Sequence, residues 1–127
     1  MNGYIPLGLA MLAGAAVGAA VDGLHAQGKG PGAYAIIDIS AINNADVFKT
    51  LLPKTAAATA AFGGKNVAVT DNIVALDGTP PKRFVIISFD SIDKTKAWYN
   101  STAQEEINGI RKGSTNSRAF IVDGSLP

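Results

Sequence analysis

The run Arg83-Phe84-Val85-Ile86-Ile87-Ser88-Phe89 constrains the fold more than any other segment. Seven residues rich in β-branched and aromatic side chains, with a proline pair just upstream, read as a buried strand. Val85, Ile87 and Phe89 point one way, and Phe84, Ile86 and Ser88 the other. A strand apolar on both faces needs cover on both sides of its sheet.

Other segments supply partners. Residues 33–40, Ala-Tyr-Ala-Ile-Ile-Asp-Ile-Ser, alternate with period two, so Ala35, Ile37 and Ile39 oppose Tyr34, Ile36 and Asp38. Lys65 to Thr70 and Arg118 to Asp123 read as two further strands, and Asp71-Asn72 offers a tight turn into a small hairpin strand at Ile73–Leu76. Asp77-Gly78-Thr79-Pro80-Pro81 reads as loop.

Helices fill the gaps. Asn43 or Asn44 is an N-cap for a helix whose buried face runs Phe48, Leu51, Leu52, Thr55, Ala56, Thr59 and Phe62. Pro53 should kink it, and Gly63-Gly64 should close it. Asp90 or Ser91 caps a short helix through Tyr99. Ser101-Thr102-Ala103-Gln104 then has the form of a capping box, with Arg111, Lys112 and Gly113 at the far end of its helix. The βαββαβ order folds most simply as an α+β, ferredoxin-like antiparallel sheet with both helices on one face.

That arrangement leaves one face of the sheet without helices. Were Tyr34, Ile36, Phe84, Ile86 and Ile121 to share it, the patch would reach several hundred Å², near the upper end for a soluble monomer. Burying about 500 Å² at ~25 cal/mol per Å² is worth on the order of 12 kcal/mol before association costs. The expected partner is a second copy, forming a homodimer sheet to sheet.

The front of the 127-residue chain is different. Ile5 to Val21 carries no charge, and Leu24-His25-Ala26 follows. As a helix the 17 residues from Ile5 would span about 26 Å, slightly short of a ~30 Å hydrocarbon core. The segment reads as an N-terminal apolar signal helix, residues 1–26, with cleavage after Ala26. The alternatives are a retained anchor, with Gly14 and Gly18 as a helix-contact face, or an Ala-rich helix packed on the domain. Residues 27–32 are linker and 33–127 the domain. Export places the protein in the periplasm or outside the cell. It meets the membrane only if residues 5–21 are kept as an anchor in the inner membrane.

Several chemistries are excluded. There is no cysteine, and the one histidine, His25, lies at the cleavage site. No zinc site, histidine-ligated haem or Ser-His or Cys-His nucleophile pair can be assembled after cleavage, so no metal, cofactor or catalytic set is expected. After Ala26 eleven basic residues face nine acidic ones, mostly dispersed, which is no footprint for nucleic acid. The polar candidates are ligand-binding at most. Asp38 and Ser88 could share the open face, where a buried carboxylate could act as a base. Tyr34 lies beside them. Arg83 could clamp an anion, Trp98 could line a pocket, and Asn66 is polar in an apolar strand.

Gly63-Gly64-Lys65, the Pro80-Pro81-Lys82-Arg83 strand entry, the run Asp90 to Ser101 and the proline inside the first helix together resemble the bacterial domain-of-unknown-function family 1330. The resemblance spans about residues 33–124. It implies the dimeric α+β barrel superfamily, a ferredoxin-like fold with paired sheets, and an exported subset whose leader ends in a similar His-Ala-Gln. Where relatives often carry Glu this chain has Ser88, and where they often carry an aromatic residue it has Gln104. Three functions are open, the first two being a homodimer that binds a small organic ligand or acts structurally, and a cofactor-independent enzyme with Asp38 as base and Asn66 or Ser88 polarising an oxygen. A membrane-tethered assembly module is a third.

Overall fold

The computed structural model describes residues 32–124. The expected signal or anchor over residues 1–26 lies outside them, as does most of the 27–32 linker. Among the described residues no helix is long and apolar enough to cross a membrane.

The elements run β1 (Ala33–Ile42), α1 (Ala45–Lys49), α2 (Leu52–Ala60), β2 (Lys65–Thr70), β3 (Arg83–Phe89), α3 (Ile92–Tyr99), α4 (Thr102–Ser114) and β4 (Thr115–Asp123). The sheet is antiparallel in the order β2-β3-β1-β4, with the two strands of strongest two-sided alternation at its centre. This is the ferredoxin-like α+β fold.

Register settles which side chains share a face. Three rows cross the face opposite the helices: Ala68–Ile86–Ile36–Phe120, Thr70–Phe84–Asp38–Arg118 and Lys65–Ser88–Tyr34–Val122. The helix-side rows include Val69–Val85–Ile37–Ala119 and Asn66–Ile87–Ala35–Ile121. Ile121 is therefore on the helix side, and Phe120 with Val122 takes the place expected for it on the open face. The core lies beneath the helices, where Ile37, Ile39, Ile87 and Phe89 pack with Phe48, Leu51, Trp98 and Ile107.

Local chemistry explains the ends. Asn44 accepts from the Val47 amide and Ser91 from the Lys94 amide, each filling an otherwise orphan donor at a helix start. Pro53 does more than kink the first helix. The chain breaks into α1 and α2, and Pro53 sits in the first turn of α2, where a missing N–H costs nothing. Gly63, at φ +74°, supplies the left-handed residue that ends α2, and the Gly64 amide reaches back to the Thr59 carbonyl at 3.0 Å.

Three further expectations are corrected. Residues 73–76 form no strand, so the small hairpin is a loop, with Val74 and Leu76 exposed. Without a neighbouring strand to pair with, alternation alone does not make one. The last strand begins at Thr115, and Gly113 is inside α4. The Thr115 hydroxyl donates to the Arg111 carbonyl at 2.6 Å, closing the helix without a glycine. The capping box is only half formed: Ser101 Oγ accepts from the Gln104 amide at 3.3 Å, but the Gln104 side chain turns into the interior.

Candidate functional site

The helices do not fill the whole space above the sheet. A cavity of about 110 Å³ lies between β1, β2 and β3 below and α1, α2, α3 and α4 above. Its floor includes Ile37, Ile39, Val85 and Ile87, and its walls include Phe48, Leu51, Trp98 and Ile107. Leu52 and Val69 also line it and are more than two-fifths exposed, which marks the mouth along the β2 edge.

Set into this apolar lining are Asn66, Arg83, Gln104 and Arg111. Asn66 reaches it because of a β-bulge. Between Asn66 and Ala68 the register shifts by one residue, so Asn66 shares the helix-side face with Val69 instead of following Ala68 and Thr70. Arg83 stands at the mouth, where its Nη1 donates to Asp71 Oδ1 at 2.7 Å and its guanidinium lies 5.9 Å from the Phe48 ring centre.

The inner wall comes from α4. Gln104, Ile107, Asn108 and Arg111 recur at three- and four-residue steps and are all buried, so three polar residues share the core-facing stripe with one isoleucine. Asn108 Nδ2 donates to the Tyr99 carbonyl at 3.2 Å, and its Oδ1 accepts from Gln104 Nε2 at 3.0 Å. Arg111 donates through Nη1 to Ser117 Oγ at 2.8 Å and through Nη2 to the Tyr99 hydroxyl at 3.1 Å.

Among the described residues three buried polar side-chain atoms remain without a hydrogen-bond partner: Trp98 Nε1, Gln104 Oε1 and Arg111 Nε. All three residues line this one cavity. Leaving such a group unpaired costs about 1–3 kcal/mol, so three around one space is an unusual concentration.

The residues singled out in the sequence divide between two places. Asn66, Arg83 and Trp98 come together at the cavity. Tyr34, Asp38 and Ser88 lie on the opposite face of the sheet. Asp38 accepts from Arg118 Nε at 3.1 Å, and Ser88 donates to the Lys65 carbonyl at 3.4 Å. The enzyme arrangement with Asp38 as base is not assembled. Asn66 is across the sheet from it, and Ser88 stands opposite Tyr34, four residues along β1. In the sequence Arg111 has the place of a dipole-complementing cation and Gln104 that of a cap. Their spacing with Ile107 is the signal that would have found them.

The sequence matches the family described as Domain of unknown function (DUF1330) over residues 32–125. No curated protein matches it. Among solved structures, a protein of unknown function from Rhodopseudomonas palustris superposes with TM-score 0.61 at 13% identity, covering 75% of this chain and 83% of that one. SnoaB, a cofactor-independent oxygenase from Streptomyces nogalater, gives 0.53 at 12% identity, covering 75% and 94%. A dimeric protein of unknown function and ferredoxin-like fold from Bacteroides fragilis gives 0.51 at 10%, covering 72% and 94%. Likeness at such identities is likeness of fold. With three-quarters of its length matched, from the start of β1 past the end of β4, this chain belongs to the DUF1330 family.

Proposed function

We propose that the domain is a small-molecule-binding homodimer whose ligand enters the cavity between helices and sheet. The observation that carries this is the set of partnerless atoms on Trp98, Gln104 and Arg111 around an apolar, open-mouthed space. Pockets for organic molecules have this make-up, a mainly apolar lining with a few convergent polar groups that fix orientation. An apolar cavity of about 150 Å³ holds a benzene, so this space of about 110 Å³ takes a short branched chain whole, or a ring that leaves part of itself in the open mouth. The face opposite the helices joins a second copy, a reading supported by the dimeric Bacteroides fragilis neighbour and by the apolar row through Ile36. The uncharged stretch from Ile5 to Val21 supports export or anchoring, with the domain acting outside the cytoplasm.

Trp98 is the only tryptophan in the chain and lines the cavity, so its emission reports occupancy. The test is a titration of the full chain with optically silent one-ring compounds, charged and neutral. At least one should shift the emission saturably, and Thr55→Phe, which fills the lining near the mouth, should abolish the shift. If no such compound moves the emission at millimolar concentration, the ligand-binding reading fails.

A further inference from the structure

We infer that the ligand is a small organic acid whose anionic oxygen pairs with Arg111. This rests on the ligand-binding reading and adds the ligand's charge. Arg111 is 4% exposed, and both of its hydrogen-bond partners, the Ser117 and Tyr99 hydroxyls, are neutral. Among the described residues no carboxylate forms an ion pair with it.

A buried guanidinium cannot shed its proton, so its charge must be met by something else. The last turn of α4 contributes part of a negative charge, roughly half at most, and the remainder is uncompensated. The other arginine of the cavity, Arg83, already has Asp71. The unmade bonds agree. Arg111 Nε and Trp98 Nε1 are both donors, and they suit a carboxylate or enolate oxygen.

Gln104 refines the class. The relay from the Tyr99 carbonyl through Asn108 engages its Nε2, so the free atom is the acceptor Oε1. A ligand hydroxyl beside the acid group would satisfy it. The cavity thus suits a short branched hydroxy acid, or a one-ring hydroxy acid whose ring reaches into the mouth.

The probes are cyclohexanecarboxylate, its neutral isostere cyclohexanecarboxamide, and cis-2-hydroxycyclohexanecarboxylate, titrated against Trp98 emission in the full chain. The carboxylate should bind at least roughly tenfold tighter than the amide, since charge-assisted bonds inside a protein are worth that much. The hydroxy acid should bind tighter still. Arg111→Gln should erase the preference for acid over amide, while Arg111→Lys, which keeps the charge, should retain it. If Arg111→Gln does not fold, the wild-type ratio decides. Amide binding equal to or tighter than carboxylate binding overturns the assignment of charge and leaves the ligand-binding reading standing. Silence toward all three compounds overturns both.

Discussion

Phe120→Ser should dissociate the proposed homodimer while leaving the protomer folded. Phe120 ends the apolar row Ala68–Ile86–Ile36–Phe120 on the sheet face opposite the helices, and it is 41% exposed. An aromatic side chain offers about 200 Å², so about 80 Å² of Phe120 is free to be covered by a partner. At ~25 cal/mol per Å² that is about 2 kcal/mol per copy. A two-fold interface uses the residue twice, for about 4 kcal/mol in the pair. The dissociation constant should therefore rise about 1,000-fold. Serine is the better probe than aspartate, because the Arg118 guanidinium lies 5.4 Å from the ring centre and would pair with a new carboxylate. Sedimentation equilibrium across nanomolar to micromolar concentrations reads the constant directly. The monomeric variant should stay folded, since Phe120 has no place in the core cluster, but melt below wild type and at a temperature that no longer depends on protein concentration. A wild-type protein that sediments as one chain, or a variant that associates as tightly as wild type, refutes the assignment of this face to a second copy.

Two further substitutions separate packing from chemistry. Gly64→Ala would place a Cβ 2.7 Å from Thr59 Cγ2 and 2.8 Å from the Phe89 ring, which is itself stacked against Trp98 at 5.1 Å between ring centres. With nowhere for the ring to retreat, the cost should be about 1–3 kcal/mol and the melting temperature should drop by about 4–8 °C for each of them; an unchanged melt would contradict the packing described. Asp38→Asn should change stability by less than about 1 kcal/mol, since its partner Arg118 is 73% exposed, and should leave ligand affinity within twofold. A large loss of binding in that variant would return Asp38 to the site.

Elements set by local periodicity were legible, and features set by a single-residue shift were not. The alternation in β1 and β3 announced two-sided central strands, and the Asn44, Ser91 and Ser101 caps were visible as residue types before a hydrophobic run. Asn66 was not legible. Uninterrupted alternation along Lys65–Thr70 groups Asn66 with Ala68 and Thr70, and only the bulge between Asn66 and Ala68 turns it to the helix side. Ile121 failed for the same reason in reverse. Its strand carries apolar residues on both faces, so composition cannot choose the parity, and the pairing of Ala35 with Ile121 does. Arg111 and Gln104 were missed because a charge near a helix end, and a glutamine three residues after a serine, each have an adequate surface explanation. Tertiary packing overrode both.

The division of labour follows from β1. Its odd-numbered residues Ala35, Ile37 and Ile39 build the core, two of them as cavity floor, while Tyr34, Ile36 and Asp38 face away. A slip of one residue would exchange the two sets, exposing the core isoleucines and turning Asp38 toward Arg111. Burial of Ala35, Ile37 and Ile39 in the core opposes that slip, and the Asp38–Arg118 pair adds only what a solvent-facing ion pair can. The same alternation keeps a negative side chain out of the cavity. Arg111 remains uncompensated because the sheet beneath it places its one central carboxylate on the other face. The proposed ligand charge and the sheet register are in this way two consequences of one pattern of alternating residues.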